Sequence, residues 1–296
     1  MPSQPFTYVY KSVGHCGIKA DVYRPATDRS PIPVVILIHG GCLMYGSRQW
    51  SPRQLDLYLD AGYAVVSIDY RLAPETRLPY IIEDLQDAFL WVRSEGPGLF
   101  NADPDRLSAV GHSAGGYLTL MSGCCVDPPP KALVSFYGYG DIVADWYSKP
   151  DPLYCRHPAV SEEESGRLVK GPVISEPYEG RGKDQCYLYC RQNGLWPLEV
   201  SGVDPKEDPE FFTPYCPAHS ATSDYPPTLL LHGTEDTDVP YSQSVQMAET
   251  LSSLAVEHRL ITIDGGGHGF DGDMDSSKVE EAFASVLTFL NQHLGD

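Results

Sequence analysis

Residues 106–120 read "RLSAVGHSAGGYLTL" and set a serine in the frame G-x-S-x-G, as Gly111-His112-Ser113-Ala114-Gly115. "RLSAVGH" reads as a strand, and a helix is expected from Ser113 onward. Gly111 and Gly115 remove side chains where strand and helix must pass closely, so the serine can sit on a strained, exposed turn. The frame alone occurs by chance in many proteins; the strand-turn-helix setting gives it chemical meaning. A serine hydroxyl becomes a good nucleophile only when a base takes its proton and a third group orients that base.

Outward from this turn the chain alternates. "FTYVYKS" and "IKADVYRP" read as an antiparallel pair around "GHCG". "PVVILIHG" is the continuous apolar run of a strand covered on both faces. A helical segment from about Pro52 to Ala61, the strand "YAVVSIDY" and the helix "PYIIEDLQDAFLWVRSE" follow, the last with Ile81, Leu85, Ala88, Phe89 and Val92 on one face. After the serine turn come the strand "KALVSFYG", the strand "PTLLLHG", the helix "SQSVQMAETLSSLA", the strand "EHRLITID" and a final helix from about Ser276 to His293. Strands alternating with helices predict an α/β fold, a mostly parallel sheet with helices on both faces. The alternation breaks at residues 141–223, rich in proline, tyrosine and charge, with a helix expected at "QCYLYCRQNG". The expected organisation is one core of residues 1–140 and 224–296 with a cap insertion, 141–223, after the sixth core strand. That is where a lid over the carboxyl edge of the sheet would grow.

A base for Ser113 should come from a loop after a late strand, and nine histidines compete. His39 and His232 end strands just before glycine and read as structural residues beside turns. His112, the residue before the serine, would point away from its hydroxyl. His268, in "DGGGHGFDG", lies in a glycine-rich loop between the last strand and the last helix, from which an imidazole can reach over the sheet edge. The orienting acid should follow the penultimate strand, where "LLLHGTEDTDVP" offers Glu235, Asp236 and Asp238. The frame D-x-x-V-P after H-G-T singles out Asp236; Asp238 is the second choice, otherwise a solvated turn residue. The order Ser113, Asp236, His268 is that of the α/β-hydrolases and excludes the chymotrypsin and subtilisin orders. For the oxyanion, "HGGC" at 39–42 follows the third strand. Its Gly41 and Cys42 N–H groups, with that of Ala114, are the expected donors. A nucleophilic role for Cys42 finds no second base.

With these motifs assembled, the chain resembles the hormone-sensitive-lipase-like branch of the α/β-hydrolase superfamily, the "HGGG" carboxylesterases. The resemblance runs from about Asp21 to His293, apart from the insertion, and rests on "HGG" (39–41), "DYRLAPE" (69–75), "NADPDRLSAVGHSAGG" (101–116), "HGTEDTDVP" (232–240) and "HGF" (268–270). It implies an α/β-hydrolase fold and a carboxylic-ester hydrolase working without metal or organic cofactor, with "DYRLAPE" buttressing the oxyanion loop. Cys42 stands where the family usually has a third glycine, and His112 where it often has aspartate. The form "GHSAGG" also looks like kynurenine formamidases and feruloyl or acetylxylan esterases. The family typically places a helical cap before the first strand, and none is expected here. Acyl and alcohol preferences therefore do not transfer.

Composition narrows the partners. The balance of 21 Lys+Arg against 40 Asp+Glu gives a net charge of -19, which repels phosphate backbones, so no nucleic-acid partner is expected. "MPSQPFTYVYKS" shows no basic region followed by an apolar one, and "VVILI" is too short to span a bilayer, so a cytoplasmic protein without a membrane span is expected. Eight cysteines form no C-x-x-C framework and read as reduced thiols; Cys186 and Cys190 read as helix packing rather than metal ligands. The expected partner is a small-molecule ester, with homodimerisation open. Aromatic residues crowd the insertion, and Trp146 and Phe212 are expected to line its substrate pocket; alternatively these rings pack a small core of the insertion's own. Three other readings stand beside ester hydrolysis. They are amide hydrolysis of the kynurenine formamidase kind, acyl transfer or cyclisation in secondary metabolism, and a ligand receptor that has lost its chemistry. A receptor would typically lack the serine or the histidine, and both are present.

Overall fold

β1 (Phe6–Val13) and β2 (Cys16–Tyr23) form the antiparallel pair expected around Gly14 and His15 in the computed structural model, which describes residues 4–27, 30–167, 171–177 and 183–295. The apolar run follows as β3 (Ile32–Ile38), with every residue buried. The remaining strands are β4 (Ala64–Ile68), β5 (Ala102–His112), β6 (Ala132–Phe136), β7 (Thr228–Gly233) and β8 (His258–Ile263). They build one eight-stranded sheet in the order β1-β2-β4-β3-β5-β6-β7-β8. β2 runs antiparallel to β4, and from β4 to β8 every neighbouring pair is parallel.

Each face of the sheet is covered because each strand between β3 and β7 is apolar on both sides. α1 (Pro52–Asp60) and α11 (Ser277–Leu294) cover one face, where Leu55, Tyr58, Phe283, Val286 and Leu290 meet Val35, Leu37 and Val134. α2 (Leu78–Ser94), α4 (Ala114–Cys125) and α10 (Ser242–Ser253) cover the other. The helical spacing of Ile81, Leu85, Ala88, Phe89 and Val92 puts all five on the buried face of α2. The short helix α3 (Gly96–Phe100) gave no signal in the sequence. Its "GPGLF" reads as turn chemistry, and burial of Gly96 and Phe100 holds it in place instead.

Between β6 and β7 lie α5 (Asp145–Ser148), α6 (Glu162–Arg167), α7 (Lys183–Asn193), α8 (Trp196–Ser201) and α9 (Pro217–Ser220). α7 is the helix expected at "QCYLYCRQNG", with Cys186 and Cys190 packed in the interior. Part of "SEEESGRLVKGPVISEPYEGRGKD" lies outside the described residues. The buried rings of this segment (Tyr147, Tyr187, Trp196 and Phe212) join the same apolar cluster as α2 and α4 rather than a core of their own. All eight cysteines are free, and no helix among the described residues is long and apolar enough to cross a membrane.

The serine turn is the tightest packing point. Ser113 has φ 56° and ψ -120°, and α4 begins one residue later, at Ala114. A Cβ on Gly111 would lie 2.1 Å from the Gly115 carbonyl oxygen, and one on Gly115 would lie 1.9 Å from that of Ile38. Backbone cannot yield there as a flexible side chain would. Gly115→Ala should therefore cost about 3 kcal/mol or more, at the upper end of overpacking effects, read as a lowered denaturation midpoint. Gly98→Ala, with nothing within 4 Å of its added Cβ, should be close to neutral.

Candidate active site

Strand register assembles the site. Ile38 of β3 pairs with Gly111 of β5, so the loop after β3 emerges beside the serine turn. On the other side His112 pairs with Phe136, and the Ser113 N–H donates to the Phe136 carbonyl at 2.9 Å. Gly233 of β7 pairs with Ile263 of β8, so the loops carrying Asp236 and His268 leave the sheet together. All four loops open at the carboxyl edge, where ligands of open α/β sheets bind.

Ser113, His268 and Asp236 meet there. The Ser113 hydroxyl lies 3.1 Å from His268 Nε2, and His268 Nδ1 donates to Asp236 Oδ2 at 2.8 Å. The Asp236 side chain is fully buried, and its other oxygen accepts the N–H groups of Asp238 and Val239, each at 2.9 Å. Burial by itself would raise the Asp236 pKa. Hydrogen bonds from His232 and His268, the charge of His268 and the Asp238 amide outweigh it and hold the carboxyl well below its ordinary range. For His268, burial disfavours the charged ring, but the bond to Asp236 and the charges of Asp238, Asp236 and Asp271 win, and its pKa is raised.

The loop after β3 is a tight turn. Gly41 has φ +110°, which glycine tolerates and side chains do not. Its carbonyl accepts from Met44 and Tyr45 at 2.8 and 2.9 Å, closing the turn. Cys42 follows, buried, with burial pushing its thiol well above the ordinary value, so it is no thiolate. A Cβ on Gly40 would lie 3.2 Å from the Ser113 Cβ, which measures how near this loop comes to the serine. "DYRLAPE" braces it: the Tyr70 hydroxyl donates to the His39 carbonyl at 3.0 Å, and Ala73 N–H donates to the Leu43 carbonyl at 2.8 Å. Ala114 is the first residue of α4, at the positive end of that helix.

Several placements were not legible in the sequence. His232 is more than a turn residue: its Nε2 lies 3.2 Å from Asp236 Oδ2 while Ser244 holds Nδ1 at 2.8 Å. His112 faces Asp271 at 3.0 Å, and Asp271 also accepts from Tyr137 and from Gln54 at 2.6 Å. Tyr137 in turn packs 4.6 Å from the His268 ring. Asp238 is not a solvated turn residue, for Tyr154, Tyr187 and Arg191 all donate to it. Trp146 is partly buried, stacked on Tyr147 at 3.5 Å. Phe212 is only 1% exposed and packs on Phe211 within the core. No group of three or more His, Cys, Asp or Glu among the described residues is arranged to hold a metal ion.

Two family models match different parts of the chain, one described as BD-FAE over residues 20–153 and that of the prolyl oligopeptidase family over residues 187–296. Among curated proteins, the non-reducing polyketide synthase Preu6 of Preussia isomera is 30% identical over 97% of this chain, which spans 15% of that protein. An alpha/beta hydrolase superfamily protein from Enterococcus faecalis superposes with a TM-score of 0.75 at 22% identity, covering 97% of this chain and 98% of that one. A thermophilic esterase from the planctomycete Thermogutta terrifontis gives 0.69 at 21% identity, covering 98% and 94%.

The electrostatics can be checked without any substrate. In a histidine NMR titration, His268 should titrate above the ordinary value of 6.5. Asp236→Asn, which removes both a hydrogen bond and a charge from the ring, should bring that titration down. A His268 resonance unmoved by the substitution would mean that the carboxylate does not govern the imidazole.

Proposed function

We propose that this chain, which has an α/β-hydrolase fold, is a serine hydrolase of carboxylic esters of the hormone-sensitive-lipase-like kind that its motifs resemble. The observation that carries this reading is the chain of contacts from Ser113 Oγ through His268 to Asp236, at 3.1 and 2.8 Å, on a turn that holds the serine at φ 56°. Ser113 Oγ attacks the ester carbonyl carbon while His268 Nε2 takes the hydroxyl proton. Asp236 holds the imidazole by Nδ1 and stabilises the imidazolium. The carbonyl oxygen becomes an oxyanion among the N–H groups of Gly41, Cys42 and Ala114, donors worth about 2.7–4 kcal/mol each where one has been removed. Collapse breaks the carbon–oxygen bond to the alcohol, which leaves with the proton from His268. Water then attacks the acyl-enzyme, giving its proton to His268, and the acid is released as Ser113 recovers it.

The segment 141–223 serves in this reading as a cap over the substrate. Tyr154, Tyr187 and Arg191, all within it, reach the loop that carries Asp236, and these contacts support a position over the carboxyl edge. Trp146 stands beside this network, with the Arg191 guanidinium 5.4 Å from its ring. Phe212 is buried in the core, where it packs on Phe211.

The polyketide synthase likeness favours a second reading of the same site. The curated relative is 30% identical across nearly the whole chain, while the chain spans 15% of it. An acyl-enzyme formed on Ser113 from a polyketide acyl thioester would pass its acyl group to water or to a hydroxyl of the same chain. Simple acyl thioesters and p-nitrophenyl esters offered side by side distinguish the two, as do free acid and lactone among the products.

Ser113→Ala should abolish both fluorophosphonate labelling and ester turnover while the melting temperature stays near that of the parent. Asp236→Asn should lower kcat by about 10⁴-fold, the loss seen when the orienting carboxylate of such a triad is removed. Undiminished labelling at another serine would end the assignment. Trp146→Ala should alter the ranking of p-nitrophenyl esters by chain length; an unchanged ranking would make the cap a structural element only.

A further inference from the structure

The loop after β7 carries a second aspartate on the opposite edge of the same imidazole. Asp238 Oδ2 lies 3.6 Å from His268 Nε2, the nitrogen that faces Ser113. That separation is too long for a hydrogen bond and short enough for a strong charge interaction at a partly buried site. Its other oxygen, Oδ1, is fully engaged by the inserted segment. The Tyr154 hydroxyl donates to it at 2.8 Å, the Tyr187 hydroxyl at 2.6 Å and Arg191 Nη1 at 2.8 Å. Arg191 is itself 1% exposed and anchored to Asp151 at 2.6 Å through Nη2. The Asp238 N–H donates to Asp236 Oδ1 at 2.9 Å, so the residue is fixed at backbone and side chain alike.

We propose that Asp238 is a positioning residue, a second carboxylate on the proton-transfer edge of His268, tethered by the inserted segment so that it stabilises the imidazolium without capturing its Nε2 proton. The inference rests on the reading of Ser113 as nucleophile and His268 as base. When His268 accepts the serine proton, the new positive charge lies between Asp236 at Nδ1 and Asp238 near Nε2. The attraction favours the transfer. A free carboxylate in that position would do harm as well, because side-chain rotation would let it accept the Nε2–H directly. The proton would then be held in an ion pair instead of passing to the leaving group. Tyr154, Tyr187 and Arg191 prevent this by drawing Oδ1 toward the insertion, which leaves Oδ2 at a distance where it acts by charge alone.

The other groups facing His268 do not duplicate this role. Asp236 occupies Nδ1. Asp271 lies behind Tyr137 and is paired with His112. Ser113 contributes a neutral hydroxyl. The only cation behind Asp238 among the described contacts is Arg191, shared with Asp151. Asp238 is thus the carboxylate whose removal takes charge from the Nε2 edge alone.

The test is a pair of substitutions with opposite expected signs, read in the pH profile of kcat/KM for p-nitrophenyl acetate and in the histidine NMR titration. Asp238→Asn should move the acid limb, and the His268 titration, to lower pH. Tyr154→Phe combined with Tyr187→Phe should move both to higher pH and lower kcat, because the released carboxylate closes on Nε2. A merely structural network would change melting temperature and leave both pH readouts in place. Shifts of the same sign in the two variants, or no shift in either, would overturn the proposal. Tyr154→Phe alone, at a partly buried ring, covers the case in which the double substitution does not fold. The titration is repeated in Ser113→Ala. If that protein still turned over ester, the nucleophile assignment would fall, while the titration would still report whether Asp238 acts on His268.

Discussion

Gly115 has no side chain because the Ile38 carbonyl oxygen occupies the place where one would begin, 1.9 Å from a built Cβ. This contact locks α4 against β3 immediately after the turn and forces Ser113 into a positive φ. Everything functional then follows from register. With Ile38 opposite Gly111, the loop after β3 must emerge next to the serine. With His112 opposite Phe136 and Ser113 N–H on the Phe136 carbonyl, the turn is held from its other side too. The strain in the serine backbone, about 1–3 kcal/mol for such a residue, is offset by packing that admits no alternative.

The same edge concentrates negative charge on one imidazole. Asp236 is buried yet stays ionised, because His232, His268 and the Asp238 amide supply more than burial removes. His268 remains basic for the corresponding reason, since the aspartates around it outweigh its own desolvation. The acid and base are therefore set by neighbours rather than by exposure. His39 provides the contrast. It is also buried, but with only the Gly40 carbonyl to favour its charged form, and its pKa is pushed down to about 4. His39 and His268 thus differ in character through what stands beside them.

Sequence periodicity and turn chemistry carried the sheet, the long helices and the meeting of Ser113, His268 and Asp236, since each depends on local pattern and chain order. What they could not carry were contacts made across the chain. The helices α5, α8 and α9 are too short to show a period, and α3 hides behind "GPGLF". His232 bonds its neighbour Asp236 four residues on, yet "HGTED" reads equally as a plain turn. Asp238 looked solvated because its partners, Tyr154, Tyr187 and Arg191, lie 84, 51 and 47 residues away. The burial of Phe212 in the common core likewise depends on how the insertion folds back, which no count of aromatic residues reveals.

The insertion is joined to the core in two ways that differ energetically. Its rings bury apolar surface, with Tyr147 stacked on Trp196 at 4.1 Å, and the Trp196 Nε1–H donates to the Cys42 carbonyl at 3.1 Å, bracing the loop after β3. Such contacts stabilise at little cost. The cluster of Arg191 with Asp151 and Asp238 is another matter, because desolvating buried ions costs several kcal/mol each and their attraction seldom returns more. Apolar side chains of similar size would serve stability as well or better. They could not place a carboxylate 3.6 Å from His268 Nε2 and hold it there. The apolar contacts thus fix where the insertion sits, and the ionic ones connect it to His268 Nε2.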